Sequence, residues 1–286
     1  MNVEALVIPA VKASLVLTVF AVGLRATPQD AWYLFRHPGL LARTLVSMSV
    51  VMPVIALWIA ITFGLDRPVK LALVTLAMSP VPPFLPGRVT RAGGQPAYNV
   101  GVLAATSLLA IITVPLSVWA VGRLFSLSVE VRPRSIAVLV GTSVLLPLIV
   151  GIGVRRVLPG VTARIARPTT LIASVLLVVS FIPILVKEWP AIVSLVGNGT
   201  LAAILAMALI GLLVGHILGG PVQENRIVLA LSTACRHPAV AIAIAGAAAP
   251  TERLVAAAVL LALIVSSIAS IPYALWGRRW ALGAGR

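Results

Sequence analysis

Ser79-Pro80-Val81-Pro82-Pro83-Phe84-Leu85-Pro86-Gly87 sets four prolines inside an apolar run that extends from Val69 to Arg91. A proline removes a backbone donor and its ring collides with the preceding helical turn, so this run cannot form one straight helix. Further along, Cys235-Arg236-His237-Pro238 places one proline beside an Arg-His pair within a second apolar run, Gln223–Ala249. A single proline is a weaker breaker, and the adjacent charged pair tips the reading toward a second break.

The sequence around these runs is that of a membrane protein. Hydrophobic residues make up 60% of the chain and charged residues 10%, with a mean hydropathy of +1.11, whereas about a quarter of a soluble domain is charged. Lipid offers no hydrogen bonds, so only helices of about 20 apolar residues or closed barrels can cross it. The apolar runs here have helix length and do not alternate, which excludes a barrel. The net charge of +15 comes mainly from short Arg clusters between these runs. They read as orientation signals, not as a nucleic-acid footprint. Cys235 is the only cysteine, which rules out an intrachain disulfide or a thiolate metal cage, and no metal or cofactor is expected. The first run carries Glu4 and Lys12 and lacks a small-residue cleavage site near Arg25, so it reads as a retained helix.

The fold expected is all-α and integral to the membrane, with about nine spans near Leu6–Leu24, Gly39–Phe63, Val69–Arg91, Pro96–Phe125, Ser135–Val154, Thr169–Val186, Ser194–Leu218, Gln223–Ala249 and Glu252–Trp276. With the N-terminus outside, thirteen of the 22 Lys and Arg residues fall on the cytoplasmic side and eight outside, while Arg236 lies within a span. This predicts a multi-pass cell-membrane protein with its C-terminus in the cytoplasm. Each broken span follows two spans and precedes one, and Ser135–Val154 reverses the direction of the second set. That is the layout of an inverted repeat in one transmembrane domain: a first repeat over 1–125, a reversing helix over 134–156 and a second repeat over 167–280. In carriers built this way, paired discontinuous helices cross near the midplane and form the substrate and ion sites.

Leu34-Phe35-Arg36-His37-Pro38, Met52-Pro53, Ser79-Pro80, and Asn99-Val100 through Thr106-Ser107-Leu108-Leu109 to Pro115 follow a recognisable order. In these stretches the first half resembles the bile acid:sodium symporters and their bacterial relatives. Arg226 and the stretch Ser232 to Ala245 resemble that family's second crossover helix more loosely. The resemblance implies a nine-helix form of a ten-helix fold. Its core would be spans two to four and seven to nine, and its panel spans one, five and six. It also implies where a sodium site would fall. The family's sodium-binding acid falls on Ser232, its Gln-Asn pair on Arg236-His237 and a glutamine of the preceding helix on Met48. The family's crossover loop falls on Val81-Pro82-Pro83 and Leu85-Pro86. Asn99 alone remains as an oxygen ligand, so sodium stays open as a partner. The implied solute-binding residues are Ser79, Asn99, Thr106, Ser232, Arg236 and His237.

The seven carboxylates all fall in loops or at span ends, so neither a carboxylate cation site nor a carboxylate proton relay is available at mid-membrane. No acid/base pair or nucleophile-His arrangement lies within the spans, which argues against an enzyme. His37 reads as a turn residue and His216, among glycines spaced by four, as a packing residue. Arg236 stands midway along its span, where a charge costs about 2.5–3.5 kcal/mol on the insertion scale. It either rests on backbone carbonyls of the broken helix or meets an anionic solute. The function these observations predict is secondary transport of a small organic anion by movement of the panel against the core. A non-transporting sensor or channel on the same fold is the alternative. On this reading Arg236→Gln abolishes anion binding and leaves folding nearly intact.

Overall fold

The computed structural model describes residues 3–124 and 132–284, and every regular element among them is a helix. Seven helices are long and apolar enough to cross a membrane: Pro38–Thr62, Pro96–Val121, Pro133–Val157, Pro159–Ser194, Thr200–Leu218, Gln223–Ala248 and Val255–Gly283. The first helix, Val3–Gly23, has a shorter apolar part, Pro9–Gly23. The proline-rich run is divided into Arg67–Met78 and Leu85–Arg91. The second interrupted run is divided into Gln223–Ala234 and Pro238–Ala248. Both breaks therefore fall where the prolines and the Arg-His pair placed them. Glu130 and Arg286 lie outside the described residues, as does the Glu4 side chain.

Two helices carry a wider, π-type turn, and proline explains both. In Pro38–Thr62 the π turn spans Val46–Val51, and the Met52 N–H reaches back to the Ser47 carbonyl. Pro53 follows with no N–H to give. The Met48 carbonyl is thus left without a donor from its own helix, since Met52 is committed elsewhere and proline has nothing to offer. The same device recurs in Pro133–Val157, where Leu146 donates to Gly141 across the turn Gly141–Leu145 and Pro147 comes next.

Glycines set the closest helix contacts. Gly211, Gly215 and Gly219 seat Thr200–Leu218 on Gln223–Ala234, and a Cβ added at Gly215 would stand 2.5 Å from the Ala230 Cα. Small residues let backbones approach in lipid, where dispersion rather than hydrophobic burial holds helices together. At Gly151, an added Cβ would meet the Phe20 carbonyl at 2.6 Å, which fixes Val3–Gly23 against Leu146–Val157.

The sequence reading places a loop between Val154 and Thr169. In the structure only Leu158 separates the neighbouring helices, and Arg164, Arg167 and Pro168 belong to the 36-residue helix Pro159–Ser194, as does Glu188. Pro159 starts this helix with its φ already preset, and arginine propagates helix well. This long helix is the least buried of the seven, at 11% of its apolar window, while Gln223–Ala248 is the most buried at 78%. The second broken helix is therefore central, and the long helix lies at the rim with Leu171, Val175, Val178 and Ile182 exposed.

Candidate functional site

The two breaks meet. The His237 N–H donates to the Pro80 carbonyl at 2.9 Å, joining the second break to the first. Ser79 and Cys235 both leave their helices in extended conformations, and residues 79–83 and 231–237 are all buried.

Arg236 closes this junction. Its Nε donates to the Thr233 carbonyl at 3.2 Å, Nη1 to the Ser79 carbonyl at 3.0 Å and Nη2 to the Met48 carbonyl at 2.8 Å. Each carbonyl lacks a helical donor for a reason written in the chain. Met48 is freed by the π turn and Pro53. Ser79 would need an N–H from Pro83, which has none. Thr233 would need the His237 N–H, which is given to Pro80. A guanidinium has five N–H donors in a planar fork, so one side chain supplies the three missing backbone donors and keeps two. Arg236 is 6% exposed and, among the described residues, has no carboxylate within ion-pair distance. Backbone carbonyls, one of the two partners expected for it, accept all three of these hydrogen bonds.

The other expected site residues divide into three groups. Ser79 and Thr106 join Arg236 in lining a cleft that Met48, Ser49 and Thr113 also wall. The Thr106 hydroxyl donates to Val102 in its own helix and that of Ser79 to Leu76, so both leave lone pairs and no free donor. Ser232 and His237 are about 1% exposed, and the Ser232 hydroxyl and both His237 ring nitrogens have no partner. Asn99 is engaged elsewhere, donating from Nδ2 to the Pro86 carbonyl at 2.8 Å and to the Thr90 hydroxyl at 3.1 Å. It ties its helix to the second half of the first broken helix.

Three features of the junction were not foreseen from sequence. The Ser47 and Thr233 hydroxyls share a buried hydrogen bond of 2.7 Å. The Met48 backbone carbonyl accepts from the guanidinium. A second cleft, walled by Thr233, Cys235, Ser266 and Ser267, shares with the first only Arg236. His216 is bound to the Tyr273 hydroxyl at 2.7 Å, and His37 stacks on Tyr33, so neither approaches the junction.

A bundle of membrane-length helices in which two broken helices meet, buried, at their breaks defines a polytopic membrane protein of the discontinuous-helix class. Residues 13–195 match the profile of the Sodium Bile acid symporter family. That is more than half of the chain, which belongs to this family of transporters. The match ends before the second break, so Arg236 stands outside it. No curated protein matches the chain.

Proposed function

We propose that the protein is a secondary carrier of a small organic anion, working by alternating access with Arg236 as its fixed positive charge, and that sodium is not its obligatory coupling ion. The observation that carries this reading is the carbonyl-only cradle of Arg236. Carbonyl dipoles hold the guanidinium in place without cancelling its charge, and two N–H groups remain for a ligand. The cleft it shares with Ser79 and Thr106 has room for about one water-sized group, so a solute enters only if helices move apart. The resemblance puts sodium ligands at Ser232, Met48 and Arg236. A guanidinium now bridges the Met48 carbonyl and that of Thr233, next to Ser232. The positive charge has moved from an ion to a side chain.

Other observations support the finer architecture. Val3–Gly23 packs chiefly on Pro133–Val157 and Pro159–Ser194, as a panel made of spans one, five and six requires. Arg67 and Glu252 pair at 3.2 Å, and nine spans with the N-terminus outside put both on the outer surface of the cell membrane. The repeat boundaries 1–125, 134–156 and 167–280 belong to the same reading.

Counterflow in liposomes tests it. A thermal-shift screen of organic acids first finds a ligand that stabilises the purified protein. Labelled ligand should then exchange against unlabelled ligand equally well in sodium, potassium or choline. Arg236→Lys should keep part of the exchange and Arg236→Gln should lose it. Exchange by Arg236→Gln at the wild-type rate would make the charge structural. Binding without any counterflow would leave the sensor or channel reading in place of the carrier.

A further inference from the structure

The two N–H groups that Arg236 keeps lie on a side chain that walls two clefts, and only one of those clefts contains the expected solute residues. We propose that the other, between Arg236 and the serines Ser266 and Ser267, binds a small inorganic anion of halide size.

Charge balance is the first argument. Arg236 is buried at a helix junction with three carbonyls and no carboxylate, so its unit charge is solvated by dipoles but not neutralised. A buried charge without a counter-charge is costly, and a bound anion relieves that cost. A second guanidinium stands behind the same wall. Arg88 Nη2 donates to the Ser267 carbonyl at 3.2 Å and to the Ser270 hydroxyl at 3.1 Å. It too has no carboxylate partner among the described residues. One cation therefore lines the cleft and a second is bound to the backbone of one of its wall residues.

Donors are the second argument. Among the described residues, the hydroxyls of Ser266 and Ser267 make no hydrogen bond, and both residues line the cleft with Arg236 and Cys235. Hydroxyl protons turn freely toward an anion. The remaining walls are apolar, including Met52, Leu73 and Met207. Such walls lower the local dielectric and strengthen a charge-assisted hydrogen bond to Arg236. Size is the third argument. The cleft has room for about two water-sized groups, which admits a halide without any movement of helices.

The site does not depend on the transport reading, and its test involves no transport. Purified protein is unfolded thermally in sodium chloride and in sodium gluconate at equal ionic strength, then across a chloride titration. The wild-type midpoint should rise saturably with chloride and not with gluconate. Bromide should do the same and show anomalous scattering between Arg236 and Ser267 in crystals. In the Ser266→Ala/Ser267→Ala double variant, which removes two unpaired hydroxyls, half-saturation should need at least about tenfold more chloride, the equivalent of one charge-assisted hydrogen bond. Ala262→Val narrows the same cleft and should weaken the halide effect without touching a polar group. A wild-type midpoint that is identical in chloride and gluconate would overturn the proposal. So would a chloride half-saturation unchanged in both variants.

Discussion

Replacing Arg236 with methionine keeps a long side chain and removes the guanidinium, and the structure says what is lost. The Met48, Ser79 and Thr233 carbonyls lose the donor that stands in for a missing backbone N–H. A buried acceptor left without a partner costs about 1–3 kcal/mol. Part of that is recovered, because a guanidinium withdrawn from water itself costs several kcal/mol and the variant no longer bears it. The balance expected is a net loss of about 3 kcal/mol, because three acceptors are stranded at once against one desolvated charge removed. For a chain of 286 residues that corresponds to a fall of about 5 °C in Tm. Arg236→Lys retains the charge and reaches one or two of the carbonyls, so it should fall by about half as much. Thermal unfolding of detergent-purified protein in gluconate buffer, with no solute added, measures both. An Arg236→Met protein within about 2 °C of the wild type would show that the carbonyls find other donors. The structural argument for the junction would then be wrong. Thermal unfolding of Arg236→Gln likewise tests the expectation that it leaves folding nearly intact, because the same side chain that offers charge to a solute also caps three segments of backbone.

Other substitutions probe separate parts of the same reasoning. Gly215→Leu forces a side chain into the Ala230 backbone, 2.5 Å from where its Cβ would stand, and should destabilise by about 3 kcal/mol or abolish expression of folded protein, as size-exclusion profiles would reveal. Ser47→Ala and Thr233→Val should each cost about 1 kcal/mol, and the double variant less than their sum, because a 2.7 Å hydroxyl pair is removed whole. His237→Phe should raise Tm, or at least not lower it, since it deletes two ring nitrogens that have no partner; a marked fall in Tm would mean that water or a ligand already meets the ring. Protease access to tags on each terminus in intact cells should place the N-terminus outside and the C-terminus inside, and two termini on one side would end the nine-span count.

The features legible in the sequence were those written in residue type. Prolines marked both breaks, four of them close together at the first and one beside an Arg-His pair at the second, whereas lone prolines such as Pro168 and Pro183 sit inside a continuous helix. Glycines spaced by four from Gly211 to Gly219 announced a close helix contact, which the structure places against Gln223–Ala234. Arg236 was legible as a buried charge because it stands midway along its run with no carboxylate between Glu224 and Glu252. Its partners were not, since a carbonyl is common to all residues and becomes available only through local backbone geometry. The Ser47–Thr233 bond joins residues 186 positions apart, with no composition signal to connect them. The loop expected before Thr169 was read from an arginine cluster. Charge near a membrane surface marks where lipid ends and says nothing of whether the helix ends there too. Asn99 was a candidate ligand only through the resemblance, and the bracing of two helices by its amide N–H groups has no signal in residue type.

The π turn before Pro53 makes two distant positions interdependent. If Pro53 became alanine, a restored N–H would let the helix tighten and reclaim a carbonyl, and Arg236 would lose its shortest hydrogen bond. If Arg236 changed first, the Met48 carbonyl would be stranded inside the protein. Either step alone is penalised, and only the pair together restores a regular helix beside an uncharged crossing. Proline 53 and arginine 236 should therefore be exchanged jointly or kept jointly as this lineage diverges, and the Pro53→Ala/Arg236→Gln double variant should be more stable than the sum of its parts predicts.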